Sequence, residues 1–125
     1  MEKSLREASD YKTRAKKTIE EAQDQLERDY LETAVNRAYY SCFYAIHSQL
    51  ARLCVAAKSH KQAGIEFRRH FIKTKKMDEK YSEVWTSLFK WRSIVDYTAI
   101  PVINKKPAKE LVEMAADFVN TLLSS

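Results

Sequence analysis

Residues 31–53 read LETAVNRAYYSCFYAIHSQLARL. The stretch contains neither Gly nor Pro, and at ~1.5 Å per residue it is long enough for about six helical turns. Wound at ~100° per residue, Leu31, Val35, Ala38, Tyr39, Cys42, Ile46, Leu50 and Leu53 share one broad face, the pattern of a core stripe. The opposite side carries Arg37, Tyr40, Tyr44 and His47, with Thr33 beside them. A helix with one solvated face usually carries Lys and Glu in such places, so an aromatic, amphipathic face predicts contact on both sides. Two readings follow: a central helix with a second interface, or a ligand or RNA surface built from Arg37, Tyr40 and Tyr44.

Working outward, the 125 residues suit a single domain spanning 1–125, and 45% hydrophobic content is enough for a core. One Gly and two Pro leave little punctuation for hairpins, which predicts an all-α fold. No apolar run approaches the ~20 residues that cross a bilayer, and no signal-peptide pattern opens the sequence. No membrane association is expected, and the expected location is cytoplasmic. Cys42 and Cys54 lie on one predicted helix, about 18 Å apart by helical rise, so they cannot bond to each other there. Their spacing fits no zinc site, and both are expected to be small core residues in a reducing compartment. No metal and no cofactor are expected.

Residues 2–29 form a first amphipathic helix, with Leu5, Ala8, Tyr11, Ala15, Ile19, Ala22 and Leu26 at helical spacing. Its cations come early and its acids late, against the helix dipole, and the remaining positions read as a solvated face. Asp29-Tyr30 marks the turn into the central helix. The segment 58–76 carries seven Lys or Arg against one acid, Glu66, so its net charge of +6 leaves −1 for the rest of a +5 chain. A short helix over 61–74 with Ser59 as cap would put Ala63, Phe67 and Phe71 on its apolar face. Arg68, Arg69, His70 and Lys73 would then point outward. That patch is either a solvated face or a footprint for phosphate. Its single Gly64 cannot build a phosphate loop.

Residues 78–99 predict a further helix with Tyr81, Val84, Trp85, Leu88, Phe89, Trp91 and Val95 on its apolar face. Arg92 projects into the middle of that face, with Asp96 one turn later. An arginine there is either half of a buried ion pair that sets helix register, or a guanidinium held in a cleft for phosphate. Ile100-Pro101 stops the helix. A basic turn follows, and Pro107 suits the start of a last helix striped with Ala108, Leu111, Met114, Ala115, Phe118, Val119 and Leu122. These elements predict an antiparallel four-helix bundle with an additional short basic helix.

Three separated segments resemble one family. They are Asn36-Arg37-Ala38-Tyr39-Tyr40-Ser41-Cys42-Phe43-Tyr44-Ala45, then Lys58-Ser59-His60-Lys61-Gln62-Ala63-Gly64, then Arg92-Ser93-Ile94-Val95-Asp96-Tyr97. Together they look like the signature of the HEPN domain (higher eukaryotes and prokaryotes nucleotide-binding), in a branch of small stand-alone proteins, with the resemblance running over roughly 30–123. It implies the same bundle and a domain that often forms homodimers, here through the central helix. Many HEPN proteins are metal-independent ribonucleases that use an Arg, four to six residues, then a His. Arg92 is the positional counterpart, but Tyr97 stands where the His would be. A tyrosine, with a pKa near ~10, is a poor general base at neutral pH.

The resemblance therefore implies a nucleotide- or RNA-binding module using Arg37, Tyr40, Tyr44, His60, Lys61, Arg92 and Asp96. Its implied partner is a minimal nucleotidyltransferase in a toxin–antitoxin-like system. The alternatives are a rearranged ribonuclease in which Arg92, Tyr97 and His60 share the work, and a dimeric scaffold without ligand.

Overall fold

The computed structural model describes residues 2–100 and 103–125. Among them are five α-helices and no strand: α1 Glu2–Glu27, α2 Leu31–Arg52, α3 His60–Phe67, α4 Lys80–Tyr97 and α5 Lys105–Leu123. The backbone of α3 continues into a wider π turn at Arg68–Ile72, where the Lys73 amide donates to the Arg68 carbonyl at 2.9 Å. The all-α bundle expected from composition is what forms.

Side-chain contacts give the helix directions. Ser48 Oγ on α2 donates to the Ala8 carbonyl on α1 at 2.7 Å, late residue to early, so those helices are antiparallel. Tyr40 with Arg92, and Asn36 with Asp96, make α2 and α4 antiparallel too. Between α2 and α5 the register rises together, with Cys42 reaching the Ala115 carbonyl and Gln49 the Leu122 carbonyl. These two run parallel, across the short diagonal of an up-down-up-down bundle. Ala15, Ala22, Ala34, Ala38 and Ala45 are fully buried. Such small side chains let α1 and α2 approach closely, while Phe67, Leu88, Phe118 and Leu122 fill the other side of α2.

Helix ends follow local chemistry. Ser59 caps α3 by accepting from the Gln62 amide at 3.0 Å, as its sequence position predicts. Gln49 of α2 donates to the Leu122 carbonyl in the last turn of α5 and Arg52 to the Ser125 carbonyl just past it, where the helical ladder runs out of N–H donors. With so little Gly, the left-handed turn positions fall to Asp29 (φ 66°), Cys54 (φ 56°) and Lys75 (φ 61°). This corrects two expectations. The central helix ends at Arg52, so Leu53 and Cys54 lie outside it and are exposed. Only Cys42 is a core thiol, and burial raises its pKa. The helix stop expected at Ile100-Pro101 falls partly on Pro101, outside the described residues; α4 ends at Tyr97. Pro107 sits in the first turn of α5, where its missing N–H costs nothing. Among the described residues, no helix is long and apolar enough to cross a membrane.

Candidate functional site

The second face of α2 is occupied from within the chain. Tyr39, Tyr40 and Phe43 project toward α4 and the start of α3, and two groups distant in sequence converge on them. Arg92 arrives from α4. Its guanidinium carbon lies 5.3 Å from the Tyr39 ring centroid, 5.6 Å from that of Tyr40 and 5.7 Å from that of Tyr97. Its Nη2 donates to the Tyr40 hydroxyl at 3.1 Å. His60 arrives as the first residue of α3, with its ring stacked on Phe43 at 4.4 Å and standing edge-on to Tyr40 at 5.8 Å. The Tyr39 hydroxyl and His60 Nδ1 form a short hydrogen bond.

The protons in that bond can be assigned. Burial raises the pKa of Tyr39, more than Arg92 lowers it, so the phenol stays protonated. Burial first, and then the charge of Arg92, lower the pKa of His60 below its ordinary 6.5, so the imidazole is neutral at pH 7. Tyr39 has no other hydrogen-bond partner among the described residues, and a buried hydroxyl proton left without an acceptor is costly. Tyr39 therefore donates to Nδ1, and Nε2 carries the imidazole proton. In this tautomer His60 is a hydrogen-bond donor for an anion.

A polar chain behind Tyr40 holds Arg92 in place. Asn36 Nδ2 donates to both Asp96 oxygens at 3.1 and 3.2 Å, and Asn36 Oδ1 accepts from Arg37 Nε and Nη2 at 3.1 and 2.9 Å. Asp96 Oδ2 lies 3.0 Å from Arg92 Nε. That N–H is not aligned on the oxygen, so the contact is Coulombic rather than a directed hydrogen bond. Arg37 lies over the Tyr40 ring at 5.3 Å. One aromatic ring thus has two guanidinium groups near its centre, at 5.3 and 5.6 Å, linked through Asn36 and Asp96. The Arg92 side chain is 13% exposed and that of Asp96 27%, so the ion pair, one of the two readings of Arg92 from sequence, is present and borders solvent.

Not every predicted residue joins this cluster. Tyr44 neighbours Tyr40 at 6.0 Å, but it is buried beneath α1, where Tyr11 stacks on it and Arg14 covers it at 4.3 Å. It is a packing residue because α1 claims the flank of α2 that sequence reading left open. Arg68 does not point outward. The π turn begins at Arg68, and the side chain is directed to α4, where Nε donates to Ser82 at 2.7 Å and Nη2 to Thr86 at 2.8 Å. Arg69 and Lys73 are exposed as expected, though Arg69 pairs with the buried Glu66 at 3.1 Å. His70 is half-buried and also meets Glu66, at 3.2 Å. Lys61 is exposed beside His60, and Tyr97 is 77% exposed at the rim.

Three residues of the cluster were absent from the sequence-based site: Tyr39, Phe43 and Asn36. Tyr39 fell on the core stripe, and it is fully buried. The usable signal was its hydroxyl, since a buried tyrosine usually finds a hydrogen-bond partner. Among the described residues, no group of three or more His, Cys, Asp or Glu side chains is arranged to hold a metal ion.

Arginines, a histidine and aromatic rings from three helices thus meet on one face of a helical bundle. The chain belongs to the HEPN domain family, whose description matches residues 8–125. That span takes in most of α1 as well as the three signature segments. It is similar to a "UPF0332 protein" of Thermotoga maritima, 25% identical over 112 residues, covering 90% of this chain and 85% of the relative. It is also similar to a protein of Methanocaldococcus jannaschii named "Putative toxin MJ0142", 31% identical over 117 residues, covering 88% of this chain and 80% of the relative.

Proposed function

We propose that this chain is an RNA-binding HEPN module whose phosphate seat is formed by Arg92, His60 and Lys61, with Arg37 and Tyr40 beside it. One observation carries the reading: Arg92 and His60, from different helices, meet over Tyr39 in protonation states that both offer donors to an anion. The basic residues Arg69 and Lys73 extend the positive field along the chain. The test is fluorescence anisotropy with a labelled single-stranded RNA across a salt series. Arg92→Ala and His60→Ala should each weaken binding by at least fivefold. Wild-type affinity in both variants would reject the seat.

The similarity to a protein named as a toxin supports placing the module in a toxin–antitoxin-like system with a minimal nucleotidyltransferase. Co-purification with a nucleotidyltransferase encoded beside it tests that partner. A homodimer through the central helix is a separate reading, motivated by the arginine and aromatic residues its sequence carries, types enriched at interfaces. Sedimentation at micromolar concentration showing only a species near 14.6 kDa would reject the dimer.

A metal-independent ribonuclease is the second reading, favoured by Arg92, which has Tyr97 at 5.7 Å and acts through its charge on His60. It requires His60 to adopt the other tautomer and free Nε2 as a base. RNA cleavage that survives a chelator and disappears with Arg92→Ala would establish it.

A further inference from the structure

Between α3 and α4, beside His60, runs a groove of about 350 Å³, a size within the range of small-molecule sites. Its walls are His60, Ile65, Trp85 and Phe89, and Lys61 and Arg68 supply its charge. Apart from His60 and Lys61, its lining takes no part in the phosphate seat. We propose that this groove is a nucleobase subsite, taking one base of an RNA strand whose phosphate lies on His60 and Arg92. The proposal rests on the RNA-binding reading and adds what the site holds beyond phosphate.

The apolar side chains in the groove are unusually open. Ile65 is 38% exposed and Phe89 37%, so part of their aliphatic and ring surface faces solvent. The aromatic wall is anchored. Tyr39 stacks on Trp85 at 5.1 Å and meets Phe89 edge-on at 6.0 Å, so the ring that carries His60 and Arg92 also supports the groove. Phe89 and Arg92 are three residues apart on α4 and therefore neighbours on its surface. A base on Phe89 would have its phosphate within reach of that guanidinium.

Charge selects the occupant. Lys61 and Arg68 are cations, and no acid lines the groove. That suits a ring attached to an anion rather than a neutral apolar ligand. Arg68 is also held in place. Two of its five N–H donors are committed to Ser82 and Thr86, which leaves the rest of a fixed guanidinium for the carbonyl edge of a base. Gly64 makes room for this arrangement. A Cβ built there would lie 2.5 Å from Trp85 Nε1 and 3.4 Å from Arg68 Nη1. Every base offers a π face, so the subsite should accept RNA with little regard to sequence.

The test compares a labelled adenylate hexamer with an abasic ribose-phosphate strand of the same length, using the full chain. Phe89→Leu keeps bulk and apolarity but removes the stacking face. It should weaken the hexamer by at least fivefold and leave the abasic strand unchanged, and Phe89→Trp should restore binding. Arg92→Ala should weaken both strands. If Arg92→Ala weakens both while Phe89→Leu changes neither, the subsite is overturned and the phosphate seat stands. If wild type binds neither strand, the RNA-binding reading falls and the subsite with it. If Phe89→Leu alters sedimentation but not hexamer affinity, the groove is an interface between copies, and the subsite is again overturned.

Discussion

The Tyr39 hydroxyl donates to His60 Nδ1, joining the central helix to the start of α3 through a phenol that burial keeps protonated and an imidazole that burial keeps neutral. The bond makes this part of the fold sensitive to acid. His60 has a folded pKa below its ordinary 6.5, and so has His47, through burial and then the neighbouring His60. With folded values depressed, the native state binds fewer protons than the unfolded chain as pH drops below 6.5. The stabilisation is complete above that value and is lost as pH falls through the folded values. The melting temperature should be level from pH 8 to 7 and decline on acidification below 6.5. His60→Asn should make the decline shallower without abolishing it, since His47 remains. An equally steep decline in the variant would place the acid sensitivity elsewhere.

Arg92 and Asp96 should respond unequally to truncation. Asp96 keeps both hydrogen bonds from Asn36 and is the more exposed partner. Arg92→Ala should therefore cost only about 1–2 kcal/mol, from its bond to Tyr40 and its contacts with three rings. Asp96→Ala removes the counter-charge beside a guanidinium only 13% exposed and should cost about 2–3 kcal/mol. The double variant should lose less than the two single losses added together. Urea unfolding of all three measures this, and a larger loss for Arg92→Ala than for Asp96→Ala would contradict the asymmetry.

Gly64→Ala should destabilise the protein although it lies inside α3. Helix propensity favours the change by ~1 kcal/mol. The new methyl would lie 2.5 Å from Trp85 Nε1, and displacing an indole packed on Tyr39 outweighs that gain. A net loss of about 1–3 kcal/mol is expected, typical of overpacking, and urea unfolding read by tryptophan fluorescence will show it. Unchanged or increased stability would mean that Trp85 has room to move.

The basic segment should separate into two kinds of arginine and lysine. Arg69→Ala with Lys73→Ala should flatten the salt dependence of RNA binding by up to about two logarithmic units if each contacts a phosphate, with little effect on melting. Arg68→Ala removes hydrogen bonds to Ser82 and Thr86 and should cost about 1 kcal/mol of stability. Salt titrations and melting curves on the same proteins test the division. An unchanged salt slope in the Arg69 and Lys73 variant would leave those charges a solvated face.

Periodicity and composition were enough to determine the helices, their order and most of their buried faces. Each apolar stripe in α1, α2, α4 and α5 is a local pattern that repeats at the helical period, and the Ser59 cap is a local hydrogen bond. The family was legible for a similar reason, since three short segments carried it. The sequence could also single out Arg92, because an arginine on an apolar stripe demands a partner. Which partners it has, only the tertiary structure decided. Tyr40 meets Arg92, and Asn36 meets Asp96, across helices, and no local pattern encodes the rotation of one helix about another. The same holds for Tyr44, which looked like a site residue until α1 covered it, and for Arg68, which looked solvated until it met α4. Helix faces follow from spacing along the chain; the meeting of Arg92 and His60 over Tyr39 follows from packing.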